Sequence, residues 1–261
     1  MSSVDWAEAA LRAYSCADPA QKCALTLALL QPDRPLDQAA DLPAQPGRPA
    51  RPQLIHPAKV PRRKLGSEAG RVALVHAVAH IEFNAINLAL DAALRFAGMP
   101  LAFYQDWVSV ARDEARHHQM LSERLGQMGA AYGDCSAHNG LWEMAEKTAH
   151  DALLRMALVP RVLEARGLDV TPGMIARLRE VGDTATVQNL EIILAEEVRH
   201  VAIGSHWFRH LCAQRGLEAD STFAGLMAQY MPGNKGAAGH FNVAARREAG
   251  FSEQELLALG A

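Results

Sequence analysis

The pattern Glu-x-x-His occurs twice in the chain, at Glu114/His117 and at Glu197/His200. On a helix, a three-residue spacing puts the carboxylate and the imidazole on one face. Both pairs fall on helical stripes that are otherwise apolar, so that face is directed at a core. Oxygen and nitrogen donors gathered in this way suit iron or manganese better than the softer, thiolate-seeking metals. Two more acids, Glu82 and Glu164, interrupt apolar stripes singly.

The stripes define the helices that must carry these groups. One reads Val75, Val78, Glu82, Ala85, Ile86, Ala89, Ala93, Phe96, and a second reads Phe103, Trp107, Val110, Ala111, Glu114, His117, Leu121, Leu125, Met128. A third offers Leu153, Ala157 and Glu164, and a fourth Leu190, Ile193, Leu194, Glu197, His200, Val201, Gly204, Phe208, Leu211. Glu82 and Glu114 are 32 residues apart and Glu164 and Glu197 are 33 apart, as in two related helix pairs. Four buried carboxylates without compensation would be prohibitively costly. Arg and Lys are scarce on these stripes, whereas two divalent cations would neutralise all four acids. A Glu from each of two helices plus Glu-x-x-His from each of the other two is the ligand plan of di-iron carboxylate bundles.

Around these stripes the chain reads as all-α. Residues 1–31 form an N-terminal helical hairpin broken near Asp18-Pro19. Eight of the thirteen prolines lie between Pro32 and Pro61, which makes residues 32–66 an extended connector or strap. Residues 67–216 read as a four-helix bundle with the dinuclear site. Its first helix is opened by Ser67 and Glu68 and runs to about Ala97, before Gly98 and Pro100; its second runs from Leu101 to Met128, ended by Gly129. The third spans about Leu141 to Arg166, before GLDVTP, and the fourth ends near Gln214, with Gly182-Asp183 as its point of interruption. Residues 217–261 form a tail of short helices containing the loop MPGNKGAAGHFN.

Composition narrows the function classes. The 261 residues are 49% hydrophobic and 21% charged, with a net charge of −3 and scattered basic residues, so neither nucleic acid nor an acidic membrane surface is a favoured partner. Cys16, Cys23, Cys135 and Cys212 form no CxxC pair, and the N-terminus lacks a continuous apolar signal core. The expectation is a soluble cytoplasmic protein.

The segments HAVAHIEFNAINLALDAALRF, DEARHHQML, EARGLDVTP, EEVRHVAIGSHWF and GHFNVAARREAGF, between about residues 65 and 252, resemble the ferritin-like superfamily and more closely its DUF455 family of bacterial proteins. A looser similarity is to the di-iron tRNA hydroxylases. The resemblance implies Glu82, Glu114, His117, Glu164, Glu197 and His200 as metal ligands, with Glu114 and Glu197 bridging. It also implies Asp113 and Glu196 as acceptors for ligand-histidine N–H groups. Relatives often carry Asp-Glu where this chain has Glu196-Glu197. The implied cofactors are two metal ions, iron first, with manganese or a mixed Mn/Fe pair as alternatives. The family carries no agreed chemistry; two adjacent reduced ions that can deliver electrons to O2 together give the expectation of an O2-dependent oxidoreductase or oxygenase acting on a small organic substrate, with an electron donor not named by the sequence and a homodimer as one assembly. The competing readings are iron oxidation or handling without an organic substrate, a structural metal bundle and, last, an RNA hydroxylase.

Other residues carry weaker signals. His118 projects near the interior as a polar neighbour of the site. His76 and His80 read as packed histidines, Asp91 and Arg95 as a structural i, i+4 pair, and His206 and His210 as outward-facing. Pro160, one turn before Glu164, removes a helix hydrogen bond and can kink the third helix. In the tail, His240, Phe241 and Asn242 form either a cover over the pocket mouth or a packed terminus.

Overall fold

The computed structural model describes residues 5–61, 64–231 and 241–259. It is all-α: among the described residues there is no strand, only an isolated bridge between Leu54 and Ala137. The chain divides into two compact units, Met1–Glu143 and Met144–Ala261.

The first unit is built on α3 (Glu68–Arg95) packed against α4 (Leu101–Gln127). Ser67 caps α3, its Oγ accepting from Gly70 N at 3.1 Å. Gly98 and Gly129 take positive φ (73° and 70°) just past the ends of α3 and α4, conformations that cost a larger residue steric strain. By length and hydropathy α3 could cross a membrane, but 72% of its most apolar stretch is buried inside the protein. It is the core helix of its unit, covered by α1 (Trp6–Ser15), while α2 (Pro19–Leu27) lies on α4.

Asp18 caps α2 by accepting from Gln21 N at 2.8 Å, and Pro19 occupies the first turn, where its missing N–H costs nothing. Lys22 then anchors the hairpin. It is fully buried, and its Nζ donates to Ala13 O, Tyr14 O and Asn87 Oδ1 at 2.9, 2.7 and 2.7 Å. Asp91 and Arg95 form the expected pair at 2.7 Å, and Tyr14 OH adds a 3.4 Å hydrogen bond to Asp91.

The proline-rich segment is a strap rather than a loose linker. Leu36 O accepts from Gly98 N, Ala40 N donates to Leu94 O, and Gly47 N donates to Tyr14 O, each at 2.9 Å. Gln53 O and Ile55 N exchange hydrogen bonds with Ala137 at 3.0 and 2.8 Å. Among its described residues the one helical stretch is a 3-10 turn at Pro57–Lys59, as its proline content requires, and these bonds tie its backbone to α1, α3 and Ala137 instead.

In the second unit, α6 (Ala152–Leu158), a π turn (Val159–Glu164) and α7 (Ala165–Glu180) run against α8 (Thr184–Gln214). The expected third helix, Leu141 to Arg166, is corrected here. It is split into α5 (Gly140–Lys147) and α6, and Asp151 caps the latter by accepting from Leu153 N at 2.8 Å. GLDVTP does not end a helix but lies within α7, with Pro172 inside it. Pro172 has no N–H to offer Leu168 O, and Asn242 Nδ2 from the tail donates to that carbonyl instead at 3.3 Å. The interruption at Gly182-Asp183 is present: Gly182 has φ 75° and Asp183 caps α8, accepting from Thr186 N at 3.1 Å.

Three short helices, α9 (Ala219–Tyr230), α10 (Val243–Glu248) and α11 (Glu253–Leu259), complete this unit. Arg246 joins Asp169 of α7 at 2.6 Å, so α10 is packed on α7. His240 and most of MPGNKGAAGHFN lie outside the described residues.

Candidate metal centre

Within the first unit, donor atoms of Glu82, Glu114 and His117 lie within 4.8 Å of one another. All three residues are buried. The antiparallel register of α3 and α4 brings them together, as the 2.8 Å hydrogen bond from His118 Nδ1 to Ala79 O shows one turn away. His117 Nδ1 is 3.4 Å from Oε2 of both Glu82 and Glu114. Glu82 Oε2 is buried without a well-formed hydrogen bond.

That geometry carries an electrostatic cost. Burial, and then the neighbouring Glu114 charge, push the Glu82 carboxyl well above the usual carboxylate range. Burial also opposes a proton on His117, but the Glu114 and Glu82 carboxylates outweigh it and push the imidazole up to about 11. Protons thus stand in for a cation. A divalent ion fits this donor set: it would satisfy the orphaned Glu82 oxygen and neutralise both acids, and two carboxylates plus an imidazole suit iron or manganese.

The second unit holds the other expected ligands on two packed elements. Glu197 Oε1 is 3.6 Å from His200 Nδ1, with His200 fully buried. Glu164 is the last residue of the π turn. Pro160 lies against Gly204, and antiparallel packing from that contact sets Glu164 one turn along, toward the level of His200. The expected kink at Pro160 takes the form of this wider turn, closed by Ala165 N donating to Pro160 O. The structure therefore brings together Glu82, Glu114 and His117, and separately pairs Glu197 with His200.

The neighbouring acids and histidines have partners of their own. Asp113 Oδ1 accepts from Arg116 at 3.0 Å, and Glu196 is half-buried on α8. His118 also accepts from Ser122 Oγ at 3.3 Å, and burial lowers its imidazole to about 4. His80 meets Tyr132 OH at 2.9 Å and is likewise lowered to about 4, first by burial. His76 Nε2 accepts from Gly133 N at 2.9 Å, and its ring stacks on Tyr132. His206 and His210 face outward and line a surface cleft of about 420 Å³ with Arg209, Ser205 and Gly250.

Stripe reading passed over two buried arginines. Arg155 donates to Thr148 Oγ1 and Ala145 O at 2.9 and 2.6 Å, and Arg161 pairs with Glu255 at 2.6 Å. The signal for Arg161 was its place next to Pro160 in an apolar run, but its acid lies 94 residues away. Tyr132, the hub of the buried histidines, sits in a loop where no periodicity marks it.

A Haemophilus influenzae protein described as uncharacterized is 45% identical over 261 aligned residues, covering 94% of this chain and 90% of that protein. No solved structure matches the chain. The model of a family described as "Protein of unknown function (DUF455)" matches residues 15–257, a span that takes in both Glu-x-x-His helices, Glu82, the π turn with Glu164 and the packed tail. By that near-complete match the chain belongs to the DUF455 family.

Proposed function

We propose that this protein is a ferritin-like metalloprotein that binds two divalent ions, iron or a mixed Mn/Fe pair. On this reading it is an O2-dependent oxidoreductase for a small organic substrate, fed by a separate electron donor. The observation that carries the reading is the buried Glu82, Glu114 and His117 group. Its support in the second unit is the matching set Glu164, Glu197 and His200, at nearly the same spacing along the chain. When bound, two adjacent redox-active ions would supply the electrons for reducing O2.

The remaining work belongs to the chain. Glu82, Glu114, Glu164 and Glu197 offer four negative charges and His117 and His200 two neutral nitrogens, provided that His117 releases its proton from Nδ1 on loading. Glu82, Glu114 and His117 are themselves buried, so water is excluded from the first set. With Cys23 and Cys212 buried and no disulfide formed, a cytoplasmic location suits the protein.

The test is anaerobic Fe(II) titration followed by O2 exposure under absorption spectroscopy, with candidate metabolites present. Two tight equivalents, an optical change on O2 exposure and metabolite-dependent O2 consumption are expected. Two ions with no optical response would mark a structural metal bundle instead. An optical response with no organic product would mark iron handling.

A further inference from the structure

One charged side chain ties together the elements that pack on the π turn. Arg161 has no solvent exposure. Its guanidinium lies 4.7 Å from the ring of Phe208, 4.3 Å from Phe223 and 4.7 Å from Phe251. Nε donates to Ser205 Oγ at 3.1 Å and Nη2 to Glu255 Oε1 at 2.6 Å, while Nη1 is buried without a hydrogen bond. Glu255 is itself held: Oε2 accepts from Ser252 N at 2.9 Å and lies 3.5 Å from the Arg209 guanidinium. The partners of Arg161 thus come from α8, α9, α11 and the link between α10 and α11.

A buried ion pair adds little net stability where apolar side chains could fill the same volume. Its distinctive property is direction, because hydrogen bonds from a planar guanidinium fix an azimuth where apolar contacts fix only a distance. Pro160 against Gly204 already sets how closely the turn approaches α8. Arg161 on Ser205 and Glu255 sets its rotation, and the extra residue of the π turn swings Glu164 off the azimuth of Arg161.

We propose that the Arg161–Glu255 pair is the positioning element of the second ligand set. It locks the rotation of the π turn so that Glu164 is presented for metal only while α11 is docked. This rests on Glu164 being a ligand. Phe251, Phe223 of α9 and Glu255 of α11 are then a working part of the site.

The test uses the full-length Arg161→Met/Glu255→Leu double variant, which leaves no lone buried charge, together with Glu255→Gln. Hydrogen exchange on the metal-free proteins is read at the amides of residues 159–165, with α4 as internal control, and Co(II) titrations are followed in the visible d–d bands. The double variant is expected to fold and to exchange at least about tenfold faster in the π turn while α4 is unchanged. It should also bind Co(II) with altered bands and less than the wild-type stoichiometry, and Glu255→Gln should fall between the two. Unchanged π-turn exchange together with a wild-type Co(II) spectrum overturns the proposal. If the wild type takes up no Co(II), the dinuclear reading fails, and π-turn exchange alone decides whether the pair holds the turn.

Discussion

Gly204 of α8 and Pro160 of the π turn touch so closely that a β-carbon at position 204 would stand 2.4 Å from Pro160 Cγ. No side-chain rotation relieves this, because both atoms are fixed to backbone. Gly204→Ala must therefore push the turn outward, with an overpacking cost of about 1–3 kcal/mol. Urea denaturation should register the loss. Metal analysis of the same variant should show reduced uptake, since Glu164 rides on the displaced turn. Wild-type occupancy in that variant would remove Glu164 from the ligand set.

The ligand assignment makes a direct forecast. Glu114→Ala and His200→Ala should each abolish two-metal occupancy, measured by elemental analysis after Fe(II) loading and desalting. The side chains are fully buried, so each truncation also leaves a cavity. Glu114→Gln, which keeps the shape and removes the charge, should lose metal while the metal-free protein stays folded. Two retained ions in any of these variants would show the assignment to be wrong.

In the metal-free protein, two groups of buried side chains should give stability contributions with opposite pH dependence. His80 and His118 are lowered by burial to about 4, so the folded state excludes their protons. Their contribution is present above the ordinary histidine range and is lost as the pH falls from there toward 4, on the order of 3 kcal/mol per ring at most. His117 is raised to about 11, so its contribution is full at low pH and fades as the pH climbs from 6.5 toward 11. Raised Glu82 acts in the same direction as His117. Thermal unfolding of the chelator-treated protein across pH 4 to 10 tests the shape. Loading with metal should flatten the alkaline limb, because the cation replaces those protons.

Lys22→Met should loosen the N-terminal hairpin. The substitution fills the same space but takes the Nζ donor from Asn87 Oδ1 and from Ala13 O and Tyr14 O, which keep Cys16 N and Gly47 N, so a cost of about 1–3 kcal/mol is expected. Limited proteolysis should then nick the link between α1 and α2 near Cys16–Asp18 well before it cuts α3. Uncut protein at wild-type rates would assign Lys22 no anchoring role.

Much of the structure is written in local chemistry. The caps at Asp18, Ser67 and Asp183 and the glycines past α3 and α4 act within a few residues, which is why those helix ends are readable in advance. Period-3.6 stripes single out Glu82, Glu114, His117 and His200, which are buried, and Glu164 and Glu197, which are half-buried, because burial of an ionisable group is costly enough to mark it.

Tertiary contacts settle what local rules leave open. A proline one turn before Glu164 permits a kink, a break or a wider turn; Gly204, 44 residues on, allows the close approach that makes it a π turn against α8. GLDVTP reads as a helix end until Asn242 of the tail takes the carbonyl that Pro172 leaves without its N–H partner. Arg161 looks like a stray charge until Glu255 reaches it from the far end of the chain. The sequence by itself determined the helical class and the buried faces that carry Glu82, Glu114, His117 and His200, since these follow from spacing along one helix. The wider turn, the continued α7 and the buried Arg161–Glu255 pair were decided only in three dimensions, where distant segments supply partners that no local pattern encodes.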